Sequence, residues 1–496
     1  MDRQESILIA LIALGVAVIL SIHAFPNIDP LIPIAFVVIS FVFLSTYALK
    51  VFTKADTFYV ISLVKTKKLT GFIERISKPK AWELLADIGL VIGFGTIAVD
   101  FLFAREKSRA KRTLIDLVSI AVLFAAFHAT FGFFFSPNSS IEGLVQLFAA
   151  SFALGGLMLF AIVSLLWNAV DIVVKLLAGK MPCPGIAPII PGVQIPNVPS
   201  FLTPPLSVWG AFLIILAVHE FSHGAMMKRI KVKIKSVGLA LFGLLPIGAF
   251  VEPDEKQLQQ ARERDQLRVY AIGPASNIYS LAVFLAIASV AGLALAPFLG
   301  PVIESNQKAI LLESVVISDV KEDYEICGNP FEVPAQGEIE EGWVLKEYAG
   351  IRLETFYDMK QALSNRDKNV SMVLETGEGK IIEKTLEKNK RGEIGIQATP
   401  VFKDGHGPSQ EYLALDATLS AITVFFGWLL LLSFALAMIN FVPTEPFDGG
   451  KIAKIMFLPY FGFMNMGKKE TQKLIGRLML WLVAAILLFN AIPIFL

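Results

Sequence analysis

Nine apolar runs divide this 496-residue chain, at 6–24, 31–50, 84–104, 115–136, 145–174, 206–227, 268–299, 411–440 and 473–496. At 1.5 Å per residue, each is long enough as a helix to cross about 30 Å of hydrocarbon. Lipid offers backbone amides no partner, so a spanning run must satisfy its own hydrogen bonds and folds as a helix. The composition agrees, being 55% hydrophobic and 18% charged, outside the usual range of soluble globular proteins. A net charge of +1 supplies no global field to gather nucleic acid, which is excluded as a partner. The expected class is a multi-pass α-helical membrane protein living in the lipid bilayer. The first run, from Ser6 to Ala24, carries no small-residue cleavage site and is expected to be a retained span.

Three linking regions break the pattern. Residues 179–205 hold eight prolines, among them Pro182, Pro184, Pro204 and Pro205, and cannot form a regular helix. Residues 236–252 are apolar but too short to span, and Gly238, Gly243, Pro246 and Gly248 interrupt them; such backbone sits at membrane depth only under cover of protein or water. Residues 302–405 are the one long polar stretch, enough for a small domain. Basic residues set orientation. Lys228, Arg229, Lys231, Lys233 and Lys235 follow the run at 206–227, and Lys451, Lys454, Lys468, Lys469 and Lys473 mark a second basic loop. Both are expected to be cytoplasmic, which places 302–405 outside. The loops 51–83 and 105–112 are also basic, yet one run separates them. Either 84–104 is re-entrant or the rule fails there.

Chemistry concentrates in the run 206–227. Of five histidines, His219 and His223 lie four apart, with Glu220 beside the first. Positions i and i+4 share a helix face, so both imidazoles can hold one ion. Zinc accepts neutral imidazole, and a catalytic site adds one more protein ligand and a water whose pKa falls to about 7. Glu220 can then take the proton as general base, which is the logic of His-Glu-x-x-His. An accidental structural cluster is the alternative. It would leave Glu220 uncompensated within a span, at a cost of about 2.5–3.5 kcal/mol. A third ligand must come from elsewhere, and Asp448 in Asn440-Phe-Val-Pro443-Thr-Glu-Pro446-Phe-Asp448-Gly449-Gly450 is the best placed. Pro443 ends the preceding helix, and irregular backbone there can aim one carboxylate at the metal. The alternative for Asp448 is a solvated residue in an ordinary Pro-Gly helix stop.

Together these motifs resemble the site-2 protease family of intramembrane zinc metalloproteases. His219-Glu220-Phe221-Ser222-His223 and Asn440-x-x-Pro443-x-x-x-x-Asp448-Gly449 match its two site motifs, and Gly273-Pro274-Ala275-Ser276-Asn277 is similar to its Gly-Pro-x-x-Asn element. The resemblance covers roughly 180–496 and departs at Glu445, where the family's loop is usually apolar. It implies one Zn2+ held by His219, His223 and Asp448, with Glu220 as base. It also implies that Asn440 holds substrate or stabilises the oxyanion and that Asn277 contacts substrate backbone, an interhelical hydrogen bond being the alternative for Asn277. The implied substrates are the transmembrane segments of other membrane proteins, cut near the cytoplasmic side. Residues 236–252 resemble the family's membrane-dipping β-hairpin, whose edge would hold substrate extended.

The strand-and-turn pattern Gly342–Ile351, the helical run 355–366 and the strands 370–375 and 381–386 look like a PDZ domain. The expected organisation is N-terminal helices at 1–178, a Pro/Gly-rich extracytoplasmic loop at 179–205 and a first catalytic half at 206–300. A PDZ-like α+β extracytoplasmic domain at 302–405 and a second catalytic half at 411–496 follow. Within that domain no clear carboxylate-binding glycine loop is found, and a steric filter against bulky substrates is the simpler role. His128, Asp100 and Asp171 precede the resemblance; His128 is expected to be a packed polar residue. The two cysteines, Cys183 and Cys327, are expected to be unpaired, with a single bridge left open. Two rivals remain, an ion-coupled transporter built from broken helices in two related halves and a metal-free scaffold.

Overall fold

Apolar runs without internal proline favour helices, and most of this chain is helical. The computed structural model describes residues 31–53, 55–103, 108–134, 142–194, 198, 203–403 and 407–496. The expected run at 6–24, with His23 and His406, lies outside them. In chain order come α1 (Leu31–Thr53), β1 (Asp56–Phe58), β2 (Ile61–Thr66), α2 (Thr70–Ile76), α3 (Ala81–Leu102), α4 (Arg109–Phe134), α5 (Glu142–Leu177) and α6 (Val208–Arg229). Next are β3 (Ile234–Phe242), β4 (Leu245–Pro253), α7 (Glu255–Gln260), α8 (Glu263–Ala309), β5 (Leu312–Val320), β6 (Tyr324–Ile326), β7 (Asn329–Phe331), β8 (Val344–Tyr348) and β9 (Ile351–Arg352). The chain ends with α9 (Phe356–Leu363), β10 (Asn369–Glu375), β11 (Ile381–Glu387), β12 (Ile396–Phe402), α10 (Gln410–Phe441), α11 (Asp448–Met456) and α12 (Lys468–Ala491). Among the described residues seven helices, α3, α4, α5, α6, α8, α10 and α12, are long and apolar enough to cross a membrane. The protein is an integral membrane protein.

Contacts divide the chain into two compact units. The first holds the described residues up to Leu166 with Ser207–Ala282 and Leu429–Leu487; the second holds Trp167–Leu206, Val283–Trp428 and Leu488–Leu496. In the first unit α3 and α5 are interrupted helices. Gly95 of α3 has φ 57° and Gly156 of α5 has φ 61°, a region that only glycine enters without strain. The two breaks meet. A Cβ on Gly95 would lie 2.6 Å from the Gly156 nitrogen, and one on Gly156 would lie 2.4 Å from the carbonyl carbon of Gly93. The Thr96 hydroxyl donates to the Ala153 carbonyl at 2.9 Å beside this crossing. Leu90, Phe94, Leu267, Phe441 and Ile452 bury the core next to it.

The same unit contains an antiparallel sheet in the order β1-β2-β3-β4. β3 and β4 form the hairpin anticipated at 236–252, with Gly243 at its turn and Leu244 and Leu245 exposed at the tip. The segment 51–83, which the sequence presents only as a basic loop, adds β1 and β2 to that hairpin. β2 is six residues long, too short an alternation to announce itself without β3 beside it.

Half-buried charges tie the helices together. Arg268 of α8 meets Asp87 of α3 at 2.8 Å and Glu83 at 3.3 Å, while Arg229 at the end of α6 reaches Glu83 at 2.9 Å. Arg268 and Asp87 are the most enclosed of these groups, and losing either partner would leave the other poorly solvated. The network fixes α6 against α3 and α8 at the end of the motif helix.

The second unit is built on an antiparallel sheet in the order β11-β10-β8-β5-β12, with β9 on β8. Val315, Ile317, Leu345, Val370, Met372 and Leu374 from its inward face form a separate core. The strand, helix, strand, strand order expected over 342–386 is present, and Thr355 with Asp358 closes a capping box at the start of α9. One expectation is overturned here. Cys183 and Cys327 are not unpaired thiols; they form a disulfide across 144 residues. β6 and β7 are joined by the two-residue turn Cys327-Gly328, both with positive φ (55° and 69°), as a type I′ hairpin requires. Gly328 lets the strap at Lys180–Met181 pass close by, since a Cβ there would lie 3.0 Å from that of Lys180. Sequence separation gives no sign of this meeting. The strap continues to Gly185, whose N–H donates to the Asn490 carbonyl at 3.0 Å. Residues 179–194 form no helix, as their prolines dictate.

Candidate metal centre

The spacing of His219 and His223 puts one above the other on α6, and both are buried. Their Nε2 atoms are 3.1 Å apart. Asp448, 225 residues beyond His223, brings its Oδ2 to 3.0 Å from the His223 Nε2 and 3.3 Å from the His219 Nε2. Among the described residues this is the one group of three or more His, Cys, Asp or Glu side chains whose ligand atoms converge. Zinc bonds of about 2.0–2.1 Å at tetrahedral angles place ligand atoms about 3.3 Å apart. The triangle is therefore of the size a zinc ion needs, and the donor set of two imidazoles and a carboxylate suits that metal.

Asp448 reaches this point because of the turn before it. α10 ends at Phe441, Pro443 and Pro446 hold the following turn, and Asp448 opens α11. A helix N-terminus favours a carboxylate. Gly449 and Gly450 allow the turn to close on itself; a Cβ on Gly449 would lie 2.3 Å from the Phe441 carbonyl oxygen, and one on Gly450 2.4 Å from the Glu445 nitrogen. Glu445 is exposed and pairs with Lys454 at 2.8 Å, so the departure from the family pattern points away from the cluster. Lys451 stands 3.6 Å from the other Asp448 oxygen.

Helix α8 closes the site from the other side. Gly273 packs directly against both imidazoles, where a Cβ would lie 2.2 Å from the His223 Nε2 and 2.8 Å from the His219 Nε2. One turn before it, the Val269 carbonyl lies 2.7 Å from the His223 Nδ1. One turn after it, fully buried Asn277 brings its side-chain amide to 3.1 Å from the His219 Nδ1. Both imidazoles therefore turn Nε2 toward Asp448, beside Gly273, while their Nδ1 atoms meet Val269 and Asn277 one turn to either side. A histidine whose second nitrogen is held in this way has a fixed ring orientation.

Glu220 is half-buried beside the cluster, and its Oε2 accepts a hydrogen bond from the Val251 N–H of β4 at 3.0 Å. β4 is the terminal strand of its sheet, so this N–H comes from the edge that β3 leaves unpaired. Asn440 is placed differently from the others. Its amide donates to the Leu436 carbonyl of its own helix at 2.9 Å, and it is not part of the converging group. His128 stacks on Phe124 with ring centroids 6.1 Å apart. Asp100 pairs with Arg112 at 2.5 Å and Asp171 with Lys175 at 2.6 Å. Sequence reasoning missed the backbone groups of Val269 and Val251, which carry no side-chain signature, and named Gly273 without a role.

The profile of peptidase family M50 matches residues 208–485, from the start of α6 into α12. The chain belongs to peptidase family M50, the site-2 protease family. M50 proteins are zinc metallopeptidases. The match contains all three converging side chains, Glu220, Asn277 and the β3–β4 hairpin. An uncharacterized protein of Methanocaldococcus jannaschii is 26% identical over 288 residues, which are 58% of this chain and 65% of that protein. The chain thus spans just under two thirds of the length of that relative.

Proposed function

We propose that this protein is an intramembrane zinc metalloendopeptidase that cuts transmembrane segments of other membrane proteins. The observation that carries the proposal is the convergence of His219, His223 and Asp448 beside Glu220. Zinc held there would act as a Lewis acid and bring the pKa of a bound water to about 7. Glu220 takes the proton from the attacking water and passes it to the leaving amine. The unpaired edge of β4 binds the substrate as an added strand, because helical carbonyls are sheathed and must be unwound before attack. That edge already meets Glu220 through Val251, so a strand laid along it runs past the base. The family resemblance assigns Asn440 to substrate or oxyanion, for which the second amide hydrogen remains after one is given to the Leu436 carbonyl.

The disulfide supports an oxidising, extracytoplasmic location for 302–405. The basic residues at 228–235 and 451–473 support a cytoplasmic location for the end of α6 near the site. The PDZ-like body then acts as a filter against substrates with bulky outer domains. A transporter gains one observation, the interrupted helices α3 and α5. The converging ligands, however, stand on uninterrupted α6 and α11. The test is cleavage of a single-span substrate by purified protein reconstituted in bilayers. Chelation should abolish cleavage, zinc should restore it, and Asp448→Asn should lose both metal and activity. Cleavage that resists chelation and survives Asp448→Asn would remove the proposal.

A further inference from the structure

Asn277 is fully buried, and its side-chain oxygen Oδ1 has no hydrogen-bond partner. Its nitrogen Nδ2 faces the His219 Nδ1 at 3.1 Å. These two facts conflict with what the imidazole must do. His219 points Nε2 at the shared corner with His223 and Asp448, so a lone pair there is needed to hold a metal. A neutral imidazole with a free Nε2 carries its proton on Nδ1. His223 shows this arrangement, with Nδ1 at 2.7 Å from the Val269 carbonyl, an acceptor. For His219 the same proton would meet an amide –NH2, donor against donor, while an acceptor on the same side chain stands unused.

The oxygen and nitrogen of an amide are exchanged by a half-turn of the side chain, so orientation is assigned by hydrogen bonding. With Oδ1 turned to His219, the Nδ1–H gains an acceptor and the orphaned oxygen disappears. One unpartnered group remains in place of two mismatched ones, the –NH2 in the position Oδ1 vacates. The assignment is strengthened by what surrounds it. Gly273 places no side chain of its own between α8 and the rings, and Asn277 one turn on reaches the His219 Nδ1.

We infer that Asn277 is a positioning residue, whose side-chain oxygen accepts the His219 Nδ1 proton and so holds Nε2 ready for metal. This role differs from contact with substrate backbone, and it rests on the zinc-site reading above. Such partners raise ligand basicity and lock the ring, and their loss lowers metal affinity about 10–100-fold.

The test uses the full-length protein in detergent micelles, with zinc affinity measured by competition against a chromophoric chelator, alongside thermal unfolding of the metal-free forms. Asn277→Leu keeps the volume and removes the acceptor; Asn277→Asp offers oxygen only. The expected result is about 10–100-fold weaker zinc binding for Leu and affinity within about threefold of wild type, or tighter, for Asp. Recovery in Asp separates loss of the acceptor from loss of fold. Wild-type affinity in the Leu variant, or an equal loss in both, would overturn the inference while leaving the metal site intact. Wild-type protein that binds no zinc would overturn the metalloprotease proposal and this inference with it.

Discussion

The Nε2 of His223 lies 3.0 Å from the Oδ2 of Asp448, although 225 residues separate them. Between them lie the β3–β4 hairpin and α8, which close on the site, and Val283–Trp428 of the second unit. α6 supplies two of the converging side chains at one-turn spacing, and the turn after α10 supplies the third.

Gly273 of α8 lies against the imidazole pair with no room for a side chain. Replacing a helical glycine by alanine favours the helix by about 1 kcal/mol where space allows. Here the new methyl would lie 2.2 Å from the His223 Nε2. Gly273→Ala is therefore expected to weaken zinc binding by more than tenfold, with helix content by circular dichroism unchanged. Unaltered zinc affinity in that variant would show that α8 does not press on the rings.

The crossing of α3 and α5 should be the most sensitive backbone contact in the first unit. Gly95→Ala places a side chain at φ 57° and 2.6 Å from the Gly156 nitrogen. Positive φ alone costs about 1–2 kcal/mol, and the clash adds to it. Denaturant or thermal unfolding of this variant should show a loss of about 2–4 kcal/mol. The same substitution at Gly143, where a Cβ meets nothing within 4 Å, should be neutral or stabilising.

The disulfide and the metal centre fall in different units, so their effects should separate. A native disulfide contributes about 2–4 kcal/mol, and both cysteines lie in the second unit, although the loop they close passes through α6 of the first. Cys183→Ser should lower the melting of the second unit without changing zinc stoichiometry. A membrane-impermeant maleimide offered to oriented vesicles after reduction should label Cys327 from the outside; labelling only after permeabilisation would reverse the proposed orientation.

Much of the site is legible in the sequence because its chemistry lies in side-chain types at fixed spacing. His219, Glu220 and His223 need only helical periodicity, and Asp448 needs only a proline-stopped helix. The groups that orient them are not legible. Val269 and Val251 act through backbone atoms, and a valine codes for neither role. Helices were readable for the same reason that β1 and β2 were not. A run of twenty apolar residues is self-sufficient in lipid, whereas Ile61–Thr66 becomes a strand only because β3 lies alongside. The Cys183–Cys327 bridge depends on the turn at Cys327-Gly328, a tertiary placement that spacing cannot show.

Glu220→Gln tests the central claim most directly, with bound zinc and cleavage of a reconstituted single-span substrate measured on the same preparation. Glutamine preserves shape and can still face the Val251 amide, but it cannot take a proton from water. Zinc should remain at the wild-type level while the cleavage rate falls by about 10²–10⁴-fold. Cleavage at the wild-type rate with zinc in place would contradict the account.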